Sequence, residues 1–243
     1  MRTVDGGGRP VQRAELDAPV LEVAPWLLGC VLTHDGVAVR LTEVEAYAGT
    51  DDPGSHAYRG RTTRTAVMFG PPGHLYVYLS HGLHTCANIV TGPAGTASAV
   101  LLRAGEVVDG AALARTRRER ARSGPVRDHE LARGPGNLGR ALGLDREHDG
   151  IDVCRRTSPV VLHAPSARAG GGERGPAHRV PTQGLRTGPR VGVSGEGGSG
   201  ERYPWRFWLP DEPTVSAYRA AASRRDAPRR KPTSASEPGR PRQ

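Results

Sequence analysis

Lysine is almost absent from this 243-residue sequence, because every one of its 34 basic residues except Lys231 is an arginine. The body of the chain therefore has no amine that could attack a carbonyl carbon, and covalent catalysis through a lysine Schiff base is excluded there. The excess of arginine fits phosphate recognition and a GC-rich genome equally well, so it does not identify a partner by itself.

Cysteine and long apolar runs are also scarce. The three cysteines, Cys30, Cys86 and Cys154, show no pairing pattern, and their odd number argues against a disulfide framework. No apolar run approaches the roughly 20 residues that span a bilayer, and the first residues lack the apolar segment of a signal peptide. We therefore expect a cytoplasmic protein that does not associate with membranes.

Signatures of nucleotide and metal sites are missing as well. No Walker-type or dinucleotide-type glycine motif opens a helix after a predicted strand. His81, His84 and Cys86 lie close together, with His56 and His74 nearby, but they lack the paired Cys-x-x-Cys or His-Glu-x-x-His spacing of strong metal motifs. The sequence therefore predicts neither a cofactor nor a bound metal.

The net charge of +9 is concentrated at the two ends of the chain. Residues 217–243 carry eight basic and two acidic groups and residues 1–14 carry three and one, which leaves +1 for residues 15–216. Both ends are poor in large apolar side chains, which predicts disordered basic tails. Residues 15–216 then form one domain, with a Gly-, Pro- and Arg-rich stretch at about 166–189 that is typical of a flexible insertion.

Short apolar segments separated by turn residues predict a sheet with a few helices. Strands are expected at 30–33, 37–47, 74–79, 86–90, 98–103, 190–193 and 205–209, and helices at 17–28, 109–122 and 137–142. Short strands at close spacing favour antiparallel pairing. The predicted fold class is α+β, a single domain in which a curved, mainly antiparallel sheet is flanked by helices.

Glu45 is a carboxylate at a position where the strand pattern predicts an apolar side chain. The period of two places Glu43 and Glu45 on one face with three aliphatic residues, which are Val37, Val39 and Leu41. Burial at the end of such a face removes hydration, raises the pKa of a carboxylate and suits it to accept a proton near neutrality. Glu45 is therefore a candidate general base, although a strand end that has reached solvent explains the pattern too.

Two further arrangements near Glu45 leave other functions open. Glu43 and Glu45 have α-carbons about 7 Å apart, a spacing that paired carboxylates of a carbohydrate-active hydrolase could use. Tyr47, Tyr76 and Tyr78 are half of the six tyrosines, and they could form plain core or the walls of a site for a planar ligand. A non-catalytic nucleic-acid-binding module is the third possibility.

An ordered set of motifs resembles the alkyladenine (3-methyladenine) DNA glycosylases, in their bacterial form. The set comprises Thr42-Glu43-Val44-Glu45-Ala46-Tyr47, His56, Met68-Phe69, Gly73-x-Leu75-Tyr76-Val77-Tyr78, Asn88, Val100-Leu101-Leu102-Arg103 and Arg190-Val191-Gly192-Val193. Each motif is short, but their order and spacing from about residue 16 to residue 209 are specific. The resemblance implies a DNA repair enzyme that flips an alkylated purine nucleotide out of duplex DNA and hydrolyses its N-glycosidic bond. It implies double-stranded DNA as partner, and we expect a monomer in the nucleoid that needs no cofactor.

The resemblance also implies a role for single residues around the bond that is cleaved. Glu45 would activate the attacking water, and Arg103 would help to hold that water. Tyr47 and Tyr78 would stack on the flipped base. Because the body of the chain has no lysine, we expect a monofunctional glycosylase that leaves an abasic site.

Three further residues take roles in recognition by the same resemblance. His56 would read the base or contact its nucleotide, and Asn88 would narrow the pocket against a purine amino group. His81 stands where the family usually presents a tyrosine that fills the gap left by the extruded nucleotide. Histidine is planar but shorter, so His81 is expected to act as the DNA wedge while holding the gap less firmly. The insertion at about 166–189 has no counterpart in the family pattern.

Overall fold

A computed structural model describes residues 8–120, 124–165 and 184–221 of the chain. The strands are β1 (Val31–His34), β2 (Val37–Tyr47), β3 (Leu75–Ser80), β4 (His84–Val90), β5 (Ala99–Asp109), β6 (Ala132–Arg133), β7 (Val160–His163), β8 (Arg186–Gly188) and β9 (Arg206–Trp208). The α-helices are α1 (Val20–Trp26), α2 (Ala111–Glu119) and α3 (Pro135–Leu142). Most of the two predicted tails and of the predicted insertion lies outside the described residues.

The strands form one sheet with the order β3-β4-β5-β2-β1-β7, and β6, β8 and β9 add to it at β5 and β2. Every pairing between these strands is antiparallel. Helix α3 packs on β4 and β5, α1 packs on β2, and α2 packs on α3. The predicted α+β class with a mainly antiparallel sheet is confirmed. No helix in the described part of the chain is long and apolar enough to cross a membrane.

The turn between β1 and β2 follows from its sequence. Asp35 and Gly36 have φ angles of 39° and 77°, a pair of positive values that glycine adopts freely and aspartate tolerates. The two-residue turn fixes the register, with His34 opposite Val37. The predicted hairpin is therefore confirmed, and it delivers the long strand β2 to the centre of the sheet.

Two bulges in the β2–β5 ladder decide which way the acidic residues of β2 face. The register shifts between Leu41 and Glu43 and again between Glu43 and Val44. The β2 side chains in the core are odd-numbered before the bulges and even-numbered after them, namely Val37, Val39 and Leu41, then Val44 and Ala46. An extra residue inverts the alternation of a strand. The prediction that Glu43 and Glu45 share a face with the three aliphatics is therefore wrong.

Residues 8–14, which the sequence placed in the N-terminal tail, lie against the sheet in the structure. Val11 is buried, and Pro10 forms a bridge with His163 at the end of β7. Arg13 forms an ion pair of 2.6 Å with Asp152. A single apolar residue among polar ones gives no periodic signal, which is why the pattern did not reveal this contact.

The segment from Arg190 to Val193 is a loop, and the predicted strand there is wrong. Gly192 has a φ of 72°, and the N–H of Val191 donates to Glu45 instead of to a neighbouring strand. The strand lies earlier, at β8, inside the stretch that the sequence assigned to the insertion. The loop of residues 191–194, called the valine loop below, therefore belongs to the site rather than to the sheet.

Candidate functional site

A cavity of about 520 Å³ lies between the valine loop, the polar loop after β2 and the strands β3 to β5. Six of the seven residues singled out from the sequence line it, namely Tyr47, His56, Tyr78, His81, Asn88 and Arg103. The seventh, Glu45, is fully buried directly behind the wall that Tyr47, Arg103 and Val191 form. The structure thus brings all seven residues together.

The carboxylate of Glu45 is held by three groups. Its Oε2 accepts a hydrogen bond of 2.9 Å from the Tyr47 hydroxyl, and its Oε1 accepts one of 2.7 Å from the N–H of Val191. Nη1 of Arg103 lies 3.4 Å from the same Oε1. Burial raises the pKa of Glu45, while the Arg103 charge and the two hydrogen bonds oppose that rise. The result is a carboxylate with fixed orientation whose affinity for a proton is higher than that of an exposed glutamate.

Glu43 is also fully buried, but its oxygens are occupied. Its Oε1 accepts from Nε of Arg103 at 2.8 Å and from Nε of Arg206 at 2.7 Å, and its Oε2 accepts from the N–H of Ser216 at 2.7 Å. The side chain does not line the cavity. Glu43 therefore anchors β5, β9 and the segment after β9, and it is not free to act as the second carboxylate of a carbohydrate-active hydrolase.

Aromatic rings form one wall of the cavity. The rings of Tyr76 and Tyr78 lie side by side on β3, with centroids 5.6 Å apart and an interplanar angle of 28°. The His56 ring meets Tyr78 edge-on at 4.6 Å, and its Nδ1 lies 3.1 Å from the Tyr76 hydroxyl. Although one side of His56 faces solvent at the mouth, burial of the other side and the nearby charge of Arg64 lower its pKa to about 4. His56 is therefore neutral at pH 7.

The floor of the cavity combines one amide with apolar groups. Asn88 on β4 is buried, and its Nδ2 donates to the carbonyl oxygen of Tyr76 at 2.9 Å. The apolar part consists of Met68, Cys86, Ala99 and Leu101. Because its amide is bonded to the backbone of β3, Asn88 presents a rigid polar edge to anything that enters.

His81 lies at the tip of the β3–β4 hairpin, at the rim of the cavity. It has a φ of 51° and Gly82 has one of 71°, and the N–H of Leu83 donates to the Ser80 carbonyl at 3.0 Å. Such a turn holds the exposed His81 ring away from the sheet. His81 and its neighbours form no cluster of three metal-binding side chains within the described ranges.

The sequence patterns missed a buried ion pair behind the site. Both oxygens of Asp52 contact Arg190, at 2.5 Å and 2.7 Å, and neither side chain is exposed to solvent. The Arg190 guanidinium also lies 4.6 Å from the centroid of the Tyr47 ring. Arg190 belonged to a recognised motif, but Asp52 sits in a polar loop whose composition gave no sign of burial.

Comparison with known families decides what this cavity belongs to. A family model described as methylpurine-DNA glycosylase matches residues 14–213, a range that contains all the residues of the site. The chain belongs to this family. It is a DNA repair glycosylase, as the motifs of the sequence predicted.

Close relatives of this glycosylase occur in other bacteria, and each is provisionally assigned as a 3-methyladenine DNA glycosylase. The relative from Streptomyces avermitilis is 53% identical over 221 residues, which are 89% of this chain and 95% of the relative. The relative from Nocardia farcinica is 50% identical over 86% of this chain and 91% of its own length. A third, from Frankia casuarinae, is 52% identical over 84% and 90%, respectively.

The chemistry of the cavity suits the family. Among its lining residues in the described part of the glycosylase, two are arginines, Arg64 and Arg103, and none is acidic. Glu45, behind the wall, is therefore the carboxylate closest in contact with the lining, through Tyr47, Val191 and Arg103. Stacked rings on one side and a single oriented carboxylate on another are the groups that a flat, cationic base and an attacking water require.

Proposed function

We propose that this glycosylase flips an alkylated purine nucleotide, above all 3-methyladenine, out of duplex DNA into the cavity, and that Glu45 activates the water that hydrolyses its N-glycosidic bond. The position of Glu45 carries the proposal, because a fully buried carboxylate is held against the cavity wall by three oriented groups. The family description and the names of the relatives support the choice of a methylated purine.

Base binding rests on the aromatic residues. A base inside a duplex hides its glycosidic bond, so the nucleotide must be extruded at a cost of a few kcal/mol, which is least for a damaged pair. Tyr47 and Tyr78 stack on the extruded base, and alkylation places positive charge on that base, which strengthens its attraction to aromatic faces. Because the pKa of His56 is about 4, His56 is neutral and reads the base without repelling it. Asn88 excludes a purine amino group from the floor.

The hydrolysis needs one base and no acid. As the C1′–N bond breaks, the alkylated base leaves with the bonding electrons and becomes neutral, while positive charge develops on the sugar. Glu45 stabilises that charge and accepts the proton of the water whose oxygen bonds to C1′. Arg103, at 3.4 Å from Glu45, keeps the carboxylate ionised and orients the water. The products are the free base and an abasic site.

The reaction stops at the abasic site in this proposal. A lyase step requires an amine that attacks the opened sugar, and the body of the chain has no lysine. Lys231 lies outside the described residues. We therefore assign a monofunctional glycosylase.

His81 acts as the DNA wedge in the same proposal. It is exposed at the rim of the cavity, at the tip of a hairpin, so its ring can enter the duplex as the nucleotide leaves. We further propose a monomer that works on chromosomal DNA in the cytoplasm. One chain supplies every residue assigned to the site, and the charge of +6 in residues 217–243 favours association with the nucleoid.

Release of free base tests the proposal. The substrate is duplex DNA methylated with a labelled agent, together with a panel of duplexes that contain one deaminated or etheno purine. The parent protein is expected to release 3-methyladenine, and Glu45→Gln is expected to bind the same DNA without release. Binding without any release by the parent protein would favour a non-catalytic nucleic-acid-binding module. Binding of oligosaccharides without salt-sensitive binding of DNA would favour a carbohydrate-active hydrolase.

A further inference from the structure

A second concavity, of about 350 Å³, lies beside the tip of the β3–β4 hairpin. It is lined by three arginines, Arg117 and Arg120 at the end of α2 and Arg140 on α3, together with Leu83 of the hairpin tip. We call it the arginine groove. His81 lines the base cavity and Leu83 lines the arginine groove, so the hairpin tip separates the two sites.

The arginine groove carries positive charge that the described protein does not neutralise. Arg117 pairs with Asp35 at 2.5 Å and donates to the carbonyl oxygen of Leu142 at 2.9 Å, so it serves to fix α3. Within residues 8–120, 124–165 and 184–221, Arg120 and Arg140 form no ion pair, and no acidic residue lines the groove. Residues 15–216 have a net charge of only +1, so two unpaired guanidinium groups at one place are a marked local excess.

The groove is held at a fixed position relative to the base cavity. Helix α3 approaches β4 so closely that a β-carbon on Gly139 would lie 2.5 Å from the carbonyl oxygen of Thr85. Pro135, at the start of α3, lines the base cavity, and Gly136 lines the groove. Arg140 therefore sits on a helix whose distance from His81 and the cavity is set by close backbone packing.

We propose that the arginine groove binds phosphates of the DNA backbone on the side of the hairpin away from the flipped nucleotide. The proposal rests on the proposed function, since it requires that the hairpin tip enters duplex DNA. Guanidinium groups bind phosphate oxygens in pairs, and contacts to phosphates fix the position of a protein on a duplex without reading its sequence. The groove would thus hold the duplex while His81 fills the gap.

The experiment measures how DNA affinity depends on salt in Arg120→Gln/Arg140→Gln. Each phosphate contact contributes about 0.9 to the slope of log affinity against log salt, so the double variant should lose nearly two units of slope. Between 50 and 200 mM salt its affinity should consequently fall about ten-fold less than that of the parent protein. Arg120→Lys/Arg140→Lys retains both charges and should keep most of the slope.

A matched control removes two charges elsewhere. Arg155 and Arg156 are exposed and lie just beyond the bridge between His74 and Asp152, at the opposite end of β3 from the hairpin tip. Arg155→Gln/Arg156→Gln should have the slope of the parent protein.

Two results would overturn the proposal. One is an unchanged slope in Arg120→Gln/Arg140→Gln, and the other is an equal loss of slope in the control variant. The measurement uses undamaged as well as damaged duplex, so it remains decisive if the parent protein releases no base. Failure of the proposed function and failure of the groove are therefore distinguishable.

Discussion

Asp52 and Arg190 form a two-point ion pair across 138 residues of sequence, with both side chains completely buried. Arg190 also donates to the carbonyl oxygens of Ala46 and Gly197, at 2.9 Å and 2.7 Å. The next residue, Val191, gives its N–H to Glu45. The ion pair thus ties the valine loop to the end of β2 and fixes the group that orients the catalytic carboxylate of our proposal.

Asp52→Asn should destabilise the fold. Removing one partner of a buried pair leaves the other charge uncompensated, which costs about 3 to 5 kcal/mol. Chemical denaturation should therefore show a lower free energy of unfolding, and excision should fall because the valine loop is no longer held. Asp51→Asn alters the adjacent, exposed carboxylate and is the control. Equal stability of the two variants would contradict a structural role for the pair.

Glu45→Gln should abolish excision without weakening DNA binding. Loss of a general base costs about 100- to 10,000-fold in rate, and loss of the negative charge beside the sugar adds to this. Single-turnover release of methylated base from a duplex measures the effect. Glu43→Gln is the informative contrast, because it removes a charge paired with Arg103 and Arg206 and should lower the free energy of unfolding. Near-normal turnover of Glu45→Gln would refute the assignment.

The rate of excision should fall in acid at a pH above the ordinary glutamate pKa of 4.5, since burial raises the pKa of Glu45. The general base must be ionised, so activity is complete above the raised pKa and is lost as pH falls through it. The Arg103 charge opposes the rise, so Arg103→Gln should move the acid limb to higher pH and Arg103→Lys should move it back. Single-turnover rates at saturating enzyme locate the limb. An identical limb in both Arg103 variants would show that another group titrates.

His81→Ala should reduce base flipping about ten-fold or more. Stacking of an aromatic ring on a base contributes roughly 1 to 3 kcal/mol, and the flipped state loses this when the wedge is removed. The effect should be largest for lesions in stable pairs and smallest for lesions in mismatches, and His81→Tyr should restore flipping or exceed the parent protein. Fluorescence of a base analogue beside the lesion reports the flipping equilibrium. His84→Ala, at an exposed position of the same hairpin, is the control. Equal flipping by His81→Ala and the parent protein would show that another residue fills the gap.

The basic C-terminal segment should supply DNA affinity that does not depend on sequence. Residues 222–243 carry seven basic and two acidic groups, and if half of their net charge meets phosphates, their removal should flatten the salt slope by about two units. The rate at saturating enzyme should not change. Removal of residues 217–243 also takes Arg219, whose carbonyl accepts from the N–H of Gly192 at 3.0 Å, and should slow excision as well. An unaltered salt slope after the shorter truncation would contradict the proposed role.

Local patterns were sufficient where a structure depends on neighbouring residues. Asp35 and Gly36 specify a turn through their own backbone preferences, so the β1–β2 hairpin could be predicted. The alternating strand β3 and its tyrosines could be predicted for the same reason. Helix α2 was predicted with a longer extent than Ala111–Glu119, because helix ends depend on contacts that periodicity does not describe.

Tertiary structure decided which way the acidic residues face and what holds them. Bulges between Leu41 and Val44 arise from the pairing of β2 with β5, and a pattern along one strand cannot register an extra residue in the ladder. The sequence by itself determined the family and the residues of the site, because ordered motifs survive without coordinates. Only the fold determined that Glu43 is saturated by two arginines, and that Val191 reaches Glu45 across 146 residues. Such contacts form when distant segments are buried together, and burial is a property of the packed sheet rather than of any segment in it.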